Sequence, residues 1–376
     1  MTLDPRRAPD FQFMLLSTLL RKENNNLDIF RVIAAAMVIY GHAYALLPTA
    51  GQQDFLGRLL AIDYSGSIAV KVFFFLSGLV VTSSLVEKKD FFKFVISRFF
   101  RIWPAFGAVL AAMAFVIGPI FSTHSPGNYF SNATVYEYFL HGLIMDVRYE
   151  LPGVFQGNAI SAANGSLWSI PFEVFAYIAL IAVFLLGLLK FRLLSVGVFL
   201  LILVDSITGH KLLLTWLPQN HEITTLAPCF AAGSVFALFK DKIKIHLKGV
   251  AGAWALYFLF RESTYSYYFL YLAVFYAILF FSSQKALVRP KPSIDVSYGM
   301  YLWGWPVQQI MAQYFPEWGI GFNQIASIAI SALLGYASWL FIEKRAIKIG
   351  SDVGKWVSSK IAPRGLDSAK RPDGSA

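Results

Sequence analysis

The chain has 376 residues, of which 57% are apolar, 16% aromatic and only 14% charged, with a formal net charge of +10. A soluble domain of this size needs more polar side chains than that to cover its surface, so the composition excludes an ordinary soluble enzyme and predicts a polytopic membrane protein. The positive charge falls in loops beside apolar runs, where membrane topology and anionic headgroups account for it, so nucleic acid is excluded as a partner and membrane lipids are expected.

Residues 1–26 read as a cytoplasmic N-terminal segment; its apolar patch, Phe11 to Leu20, is too short to span and is expected to be interfacial or disordered. The next run, Leu27 to Leu47, is long enough to cross a bilayer, and Asp28 and Arg31 interrupt it too soon for a cleavable signal peptide. Arg31 and His42 are separated by ten residues within it. At about 100° per residue they return to within about 20° of one face, roughly 16 Å apart along the axis. A permanent cation and a titratable imidazole on one track are costly in hydrocarbon, which makes both functional candidates. Asp28, one turn before Arg31, is placed to pair with it.

Nine more apolar segments follow, at about 66–86, 99–120, 167–189, 193–209, 224–239, 249–260, 264–282, 295–314 and 322–342. The predicted fold is therefore all-α, a bundle of about ten transmembrane helices occupying 27–350. A longer loop, Phe121 to Gly165, is rich in turn-forming residues and carries a helix-like stretch at 133–147 that is expected to lie on the bilayer surface. Residues 351–376 are polar and basic and are expected to form a disordered tail. With ten spans, 26 of the 32 Lys and Arg fall on one side, and only Arg58, Arg148, Lys211 and Arg261 on the other, with Arg31 and Lys71 inside the membrane. That asymmetry predicts both termini to be cytoplasmic. The single cysteine, Cys229, excludes an intramolecular disulfide, and no metal-ligand cluster is evident. No internal repeat is found.

Other residues invite chemistry by position. Arg98 and Arg101 stand three apart at the cytoplasmic start of a span, and the planar guanidinium suits phosphate, although such residues also serve as topology markers. Glu173 lies in an otherwise apolar span, and orienting His42, contacting an acceptor, or pairing with Lys71 or an Arg are all open to it. Ser77 and Gly78 suit helix packing better than nucleophilic attack. Asn164, Trp168, Tyr301 and Trp303 sit where sugar rings and hydroxyls would be met, although aromatic residues also belong to membrane interfaces. Glu343, beside Lys344 and Arg345, has a salt bridge as its plain explanation.

Six stretches, LDIFRVIAAAMVIYGHA (27–43), VFFFLSGLVVTSSL (72–85), SRFFRIWPAF (97–106), NGSLWSIPFEVFAYI (164–178), SYGMYLWGWPVQQ (297–309) and FIEKRAIK (341–348), occur in an order that resembles the acyltransferase-3 family of membrane O-acyltransferases. The resemblance implies transfer of an acyl group, usually acetyl from acetyl-CoA, to a hydroxyl of an envelope or exported polysaccharide or its lipid-linked precursor, in a bacterial inner membrane. It maps the family's Arg-x10-His motif onto Arg31 and His42, and its Arg-x-x-Arg motif onto Arg98 and Arg101, which places the donor's phosphates near the latter. His42 is then expected to act as general base or as covalent acyl carrier, with Arg31 binding donor or stabilising developing negative charge. No permanently bound cofactor is expected. Two positions depart from the family pattern: Lys71 stands where many members carry an acidic residue, and Gly304 where many carry a histidine. Some members also carry a fused extracytoplasmic hydrolase-like domain, for which the tail is too short. The rival readings are a transporter or flippase of a lipid-linked saccharide, because intramembrane Arg, His and Glu also mark transport pathways, and an acyltransferase using succinyl-CoA or a longer acyl-CoA on a small-molecule acceptor.

Overall fold

The computed structural model describes residues 13–49, 51–209, 211–217, 220–289 and 294–361. Residues 1–12 of the N-terminal segment and 362–376 of the tail lie outside the described residues. Each of the ten apolar segments is helical. The principal helices are α1 (Leu27–Leu46), α2 (Ser65–Lys88), α3 (Phe91–Ala112), α4 (Ala133–Leu143), α5 (Ile170–Leu185), α6 (Arg192–Ile207), α7 (Leu226–Leu238), α8 (Leu247–Leu259), α9 (Ser266–Ser282), α10 (Ser297–Tyr314), α11 (Gly319–Ser338) and α12 (Lys344–Ile361). Five helical stretches are long and apolar enough to cross a membrane, namely Leu27–Leu46, Ser65–Lys88, Phe91–Phe121, Gly165–Leu185 and Pro316–Lys360. The remaining expected spans are helices of 13 to 18 residues.

Local signals set the helix starts. The Asn26 side chain caps α1 by accepting from the Ile29 amide, and Asp90 caps α3 by accepting from the Lys93 amide. Pro171, in the first turn of α5, gives up no helical hydrogen bond there. The α2 helix is the hub, packed against α1, α7 and α9 and buried along most of its length. Two glycines make its contact with α7 close: a Cβ on Gly78 would lie 2.1 Å from the Phe230 carbonyl oxygen, and one on Gly233 would lie 2.1 Å from that of Phe75. Small residues at a helix crossing allow backbones to meet where lipid offers no hydrophobic drive between helices.

Two expectations are corrected. The apolar patch near the N-terminus is not disordered in its described part. Met14–Leu15 pairs antiparallel with Lys244–Ile245, and Leu16 and Leu19 are fully buried. The reason is long-range: the loop after α7 offers backbone partners, including the Ile243 carbonyl for the Leu16 amide, that allow a four-residue helix to bury its leucines. The tail is not disordered from 351, because α12 continues to Ile361. It follows α11 through a π-helical turn, Trp339–Glu343, and lies along α3, with Gly350 against the Phe100 ring and the Ser358 hydroxyl donating to Asp90 at 2.5 Å. The polar residues that suggest disorder form one face of an amphipathic helix whose other face has a neighbour. The stretch at 133–147 forms α4, which packs on α3 through Val135, Tyr138 and Gly142.

Candidate functional site

Because α1 is an unbroken helix, the ten-residue spacing of Arg31 and His42 is realised along one rod. His42 is buried, and its Nδ1 has no hydrogen-bond partner among the described residues. Buried polar atoms are satisfied as a rule, so an unpartnered imidazole nitrogen is a group held ready for something other than the fold. Its position depends on two helix contacts. Against α2, a Cβ on Gly41 would come within 2.8 Å of the Gly66 amide nitrogen and 3.0 Å of the Tyr64 ring, so the helices meet backbone to backbone next to His42. Against α10, the His42 ring stands edge-on to Trp305, with centroids 4.9 Å apart. The Trp305 indole donates to the Ala162 carbonyl at 2.9 Å, and Gly165 leaves room for its ring, which ties this wall of the site to the loop before α5.

The neighbourhood of His42 is charged from an unexpected direction. Lys71, on α2, is fully buried, with its ammonium 2.5 Å from Glu222 and 3.8 Å from Asp63. The Ser67 hydroxyl donates to the same Glu222 oxygen at 2.6 Å, and Tyr271 donates to Asp63 at 2.6 Å. Glu222 stands on a single turn, His221–Thr224, and its charge lies within electrostatic reach of the His42 imidazole. Burial and the Lys71 ammonium together hold the His221 imidazole below its usual value, so this neighbour is neutral near pH 7. No spacing relation links Glu222 or Trp305 to His42 in the sequence, and neither was expected.

Glu173 belongs to a different layer. It accepts from the Tyr177 hydroxyl, while Ser77 lies 3.3 Å from it and 2.8 Å from Tyr177. Ser77 is ten residues along α2 from Ser67, about 15 Å of helix rise. The structure therefore brings Glu173 to neither His42 nor Lys71; its hydrogen-bond partners are Tyr177 and Ser77. The Arg98 Nε is buried without a hydrogen-bond partner among the described residues.

Arg101, three residues on, is engaged on both sides. Its Nη2 donates to Asp295 at 2.6 Å and its Nη1 to Glu343 at 3.1 Å, with the guanidinium over the Tyr298 ring. Glu343 therefore has a salt bridge, as expected, but with Arg101 rather than an adjacent basic residue. The π-helical turn brings this carboxylate inward, and the resulting clasp joins α3, α10 and the start of α12. Arg31 pairs with Asp28 at 3.8 Å, in the geometry their spacing predicts.

The residues expected to meet a saccharide divide. Tyr301 is buried, with its hydroxyl donating to the Ser166 carbonyl at 2.5 Å and lying 2.6 Å from Ser169, so its polar end is spent inside the protein. Asn164 is fully buried and donates to the Leu302 carbonyl, but its Oδ1 has no partner among the described residues. Trp168 packs on Phe172, and Trp303 lies against the core. Gly304, where a histidine stands in many members of the resembled family, packs against α1: a Cβ there would lie 2.7 Å from Ile39.

A cavity of about 620 Å3 opens where α1 ends. Leu46, one helical turn beyond His42, forms part of its floor, and Thr49, Gln156, Asn158 and Gln313 supply polar groups alongside the Phe121 ring. No ionisable side chain lines it.

Residues 24–343 match the model of the acyltransferase-3 family, described as an acyltransferase domain. The chain is 27% identical over 341 residues to a protein named O-acetyl transferase from Shigella phage Sf6, covering 86% of this chain and 96% of that one. It is also 33% identical over 90 residues to nodulation protein 10 of Rhizobium leguminosarum bv. viciae, covering 24% of each. No solved structure matches the chain.

Proposed function

Since the chain belongs to the acyltransferase-3 family, and is therefore an acyltransferase with membrane-spanning helices, we propose that it moves an acetyl group from acetyl-CoA to a saccharide hydroxyl with His42 at the reacting centre. The observation that carries this reading is the buried, unpartnered Nδ1 of His42 against Trp305, one turn from a neutral polar cavity. An alcohol is a poor nucleophile, and a neutral imidazole suits the removal of its proton. In the direct route the acceptor O–H bond breaks, its proton passes to His42, and its oxygen attacks the thioester carbonyl carbon. The C–S bond then breaks, and the leaving thiolate takes the proton from His42. In the two-step route the neutral imidazole nitrogen attacks the thioester carbonyl and the C–S bond breaks, giving an acyl-imidazolium and a thiolate; the acceptor oxygen then attacks the acyl carbon, the C–N bond to His42 breaks, and the acceptor's O–H proton passes to the thiolate.

The donor's phosphates are assigned to Arg98 and Arg31. Among the described residues the Arg98 Nε has no partner and Arg31 pairs with Asp28 at 3.8 Å, whereas Arg101 is already clasped by two carboxylates. Glu173 is held by Tyr177 and Ser77. The acceptor is assigned to the cavity beyond Leu46, whose amides, hydroxyls and aromatic ring suit an uncharged sugar. Asn164 Oδ1, without a partner among the described residues, offers a further acceptor contact. The reading includes ten spans with both termini in the cytoplasm of a bacterium's inner membrane, supported by the distribution of Lys and Arg. The acceptor is a polysaccharide or its lipid-linked precursor, and no resident cofactor takes part.

Acetyl transfer from labelled acetyl-CoA, measured in membranes with wild type and His42→Ala at equal level, tests the proposal. Label in the glycan fraction only with His42 present supports it, and undiminished label in the variant removes His42 from the mechanism. The buried ion cluster around Lys71 favours, as a second reading, passage of a lipid-linked saccharide; thioester consumption by the wild type separates the two. A requirement for succinyl-CoA or another acyl donor appears as activity with that thioester alone.

A further inference from the structure

We infer that Glu222, held by Lys71 and Ser67, is a positioning residue that balances the positive charge His42 acquires during transfer. The inference rests on the reading of His42 as base or acyl carrier, and it holds for both, because the protonated imidazole and the acyl-imidazolium are each cationic.

The first argument is electrical. Lys71 is fully buried between Asp63 and Glu222, so the cluster contains one ammonium and two carboxylates. With all three ionised it carries one net negative charge, in a setting where charges are poorly solvated. Tyr271 and Ser67 donate hydrogen bonds into the carboxylates but add no charge. His221, the adjacent titratable group, is neutral near pH 7 and adds none either. The cluster's surplus charge is therefore available to a cation forming nearby: Ser67, which bonds Glu222, follows Gly66, and Gly66 meets Gly41 beside His42. A preorganised charge aimed at the place where opposite charge develops is the commonest large contribution to catalysis.

The second argument is mechanical. Glu222 comes from a short turn with little structure of its own, so its position has to be imposed. Lys71 and Ser67 impose it, by bonds of 2.5 and 2.6 Å to one and the same oxygen, Oε2. Both belong to the stretch of α2 that begins at Gly66, where α2 meets the backbone of α1 beside His42. Oε1 takes no part in either bond. Lys71, standing where many family members carry an acid, here recruits one from another part of the chain.

The test uses the full-length protein in membranes or detergent. Glu222→Gln keeps shape and removes the charge. The expected result is a fall in kcat of about ten- to a hundredfold with KM for donor and acceptor within about twofold, since the lost interaction exists mainly in the transition state. Glu222→Asp, which restores the charge on a shorter stem, is expected to recover part of kcat. Ser67→Ala loosens the carboxylate without touching charge and is expected to cost about two- to fivefold; it stands in for Glu222→Gln should that variant fold poorly. In a His42→Ala background, Glu222→Gln is expected to cause no further loss. Unchanged kcat, or a raised KM at unchanged kcat, overturns the assignment, the latter by making Glu222 a substrate contact. Full activity of His42→Ala instead overturns the reading of His42, and so the two failures are distinguishable.

Discussion

Replacing Arg101 by methionine separates a structural clasp from a donor site. The methionine keeps the stem's packing and removes the guanidinium, leaving Asp295 and Glu343 facing one another without a cation. Glu343 is 1% exposed and Asp295 16%, so water cannot substitute for the lost partner at Glu343. Breaking a buried pair by removing one member costs about 3–5 kcal/mol, and the partial access of Asp295 argues for about 3 kcal/mol. At about 2 °C per kcal/mol for a chain of this length, the apparent Tm in detergent should fall by about 6 °C at a fixed heating rate. Adding Glu343→Gln should recover part of that loss, because the uncompensated charge then disappears. A Tm equal to wild type, together with a raised KM for acetyl-CoA, refutes the reasoning and makes Arg101 a phosphate ligand.

Arg98→Ala is expected to behave oppositely, raising KM for acetyl-CoA about tenfold or more with Tm nearly unchanged, because its Nε has no partner to lose. Gly233→Val should lower Tm measurably, since its Cβ would lie 2.1 Å from the Phe75 carbonyl oxygen, whereas Gly252→Ala, with nothing within 4 Å, should not. Trp305→Phe should retain most acetyl transfer and Trp305→Ala little, because the edge contact with His42 at 4.9 Å needs an aromatic ring more than the indole N–H. In the loop after α4, hydrogen bonding to His141, then to Arg148, holds the Asp146 carboxyl below its usual value. A depressed carboxyl contributes stability above its unfolded pKa and loses it as pH falls through the folded one. Hydrogen exchange at 141–148 should therefore quicken only in the acid range, below the ordinary carboxylate pKa. Exchange that quickens instead towards alkaline pH, beyond the intrinsic rate change, contradicts that sign.

The helical path of the chain was legible because a membrane-spanning helix is a local object. It satisfies its own backbone, so composition and length alone mark it, and all ten apolar runs are helices in the structure. Relations within one helix were equally readable: Arg31 with Asp28, and the placing of His42 on Arg31's rod, follow from 3.6 residues per turn. Even the role of Gly78 could be anticipated, since small residues in spans serve close packing.

What the linear pattern misjudged were segments whose fate depends on a remote partner. The leucines at 16 and 19 are buried because the loop near 243 receives them, and α12 is ordered because α3 lies beside it. The electrostatic partners of the site belong with these cases. Glu173, an acid in an otherwise apolar span, attracts attention, yet its layer is set by Tyr177 and Ser77. Glu222, in a polar loop where acids are ordinary, is the acid that reaches the field of His42. Periodicity along one helix determined which side chains share a face. Which faces meet, and at what depth, was decided by the crossings at Gly41 with Gly66 and Gly78 with Gly233, because charge and hydrogen bonding act through space over a few ångströms, however many residues intervene.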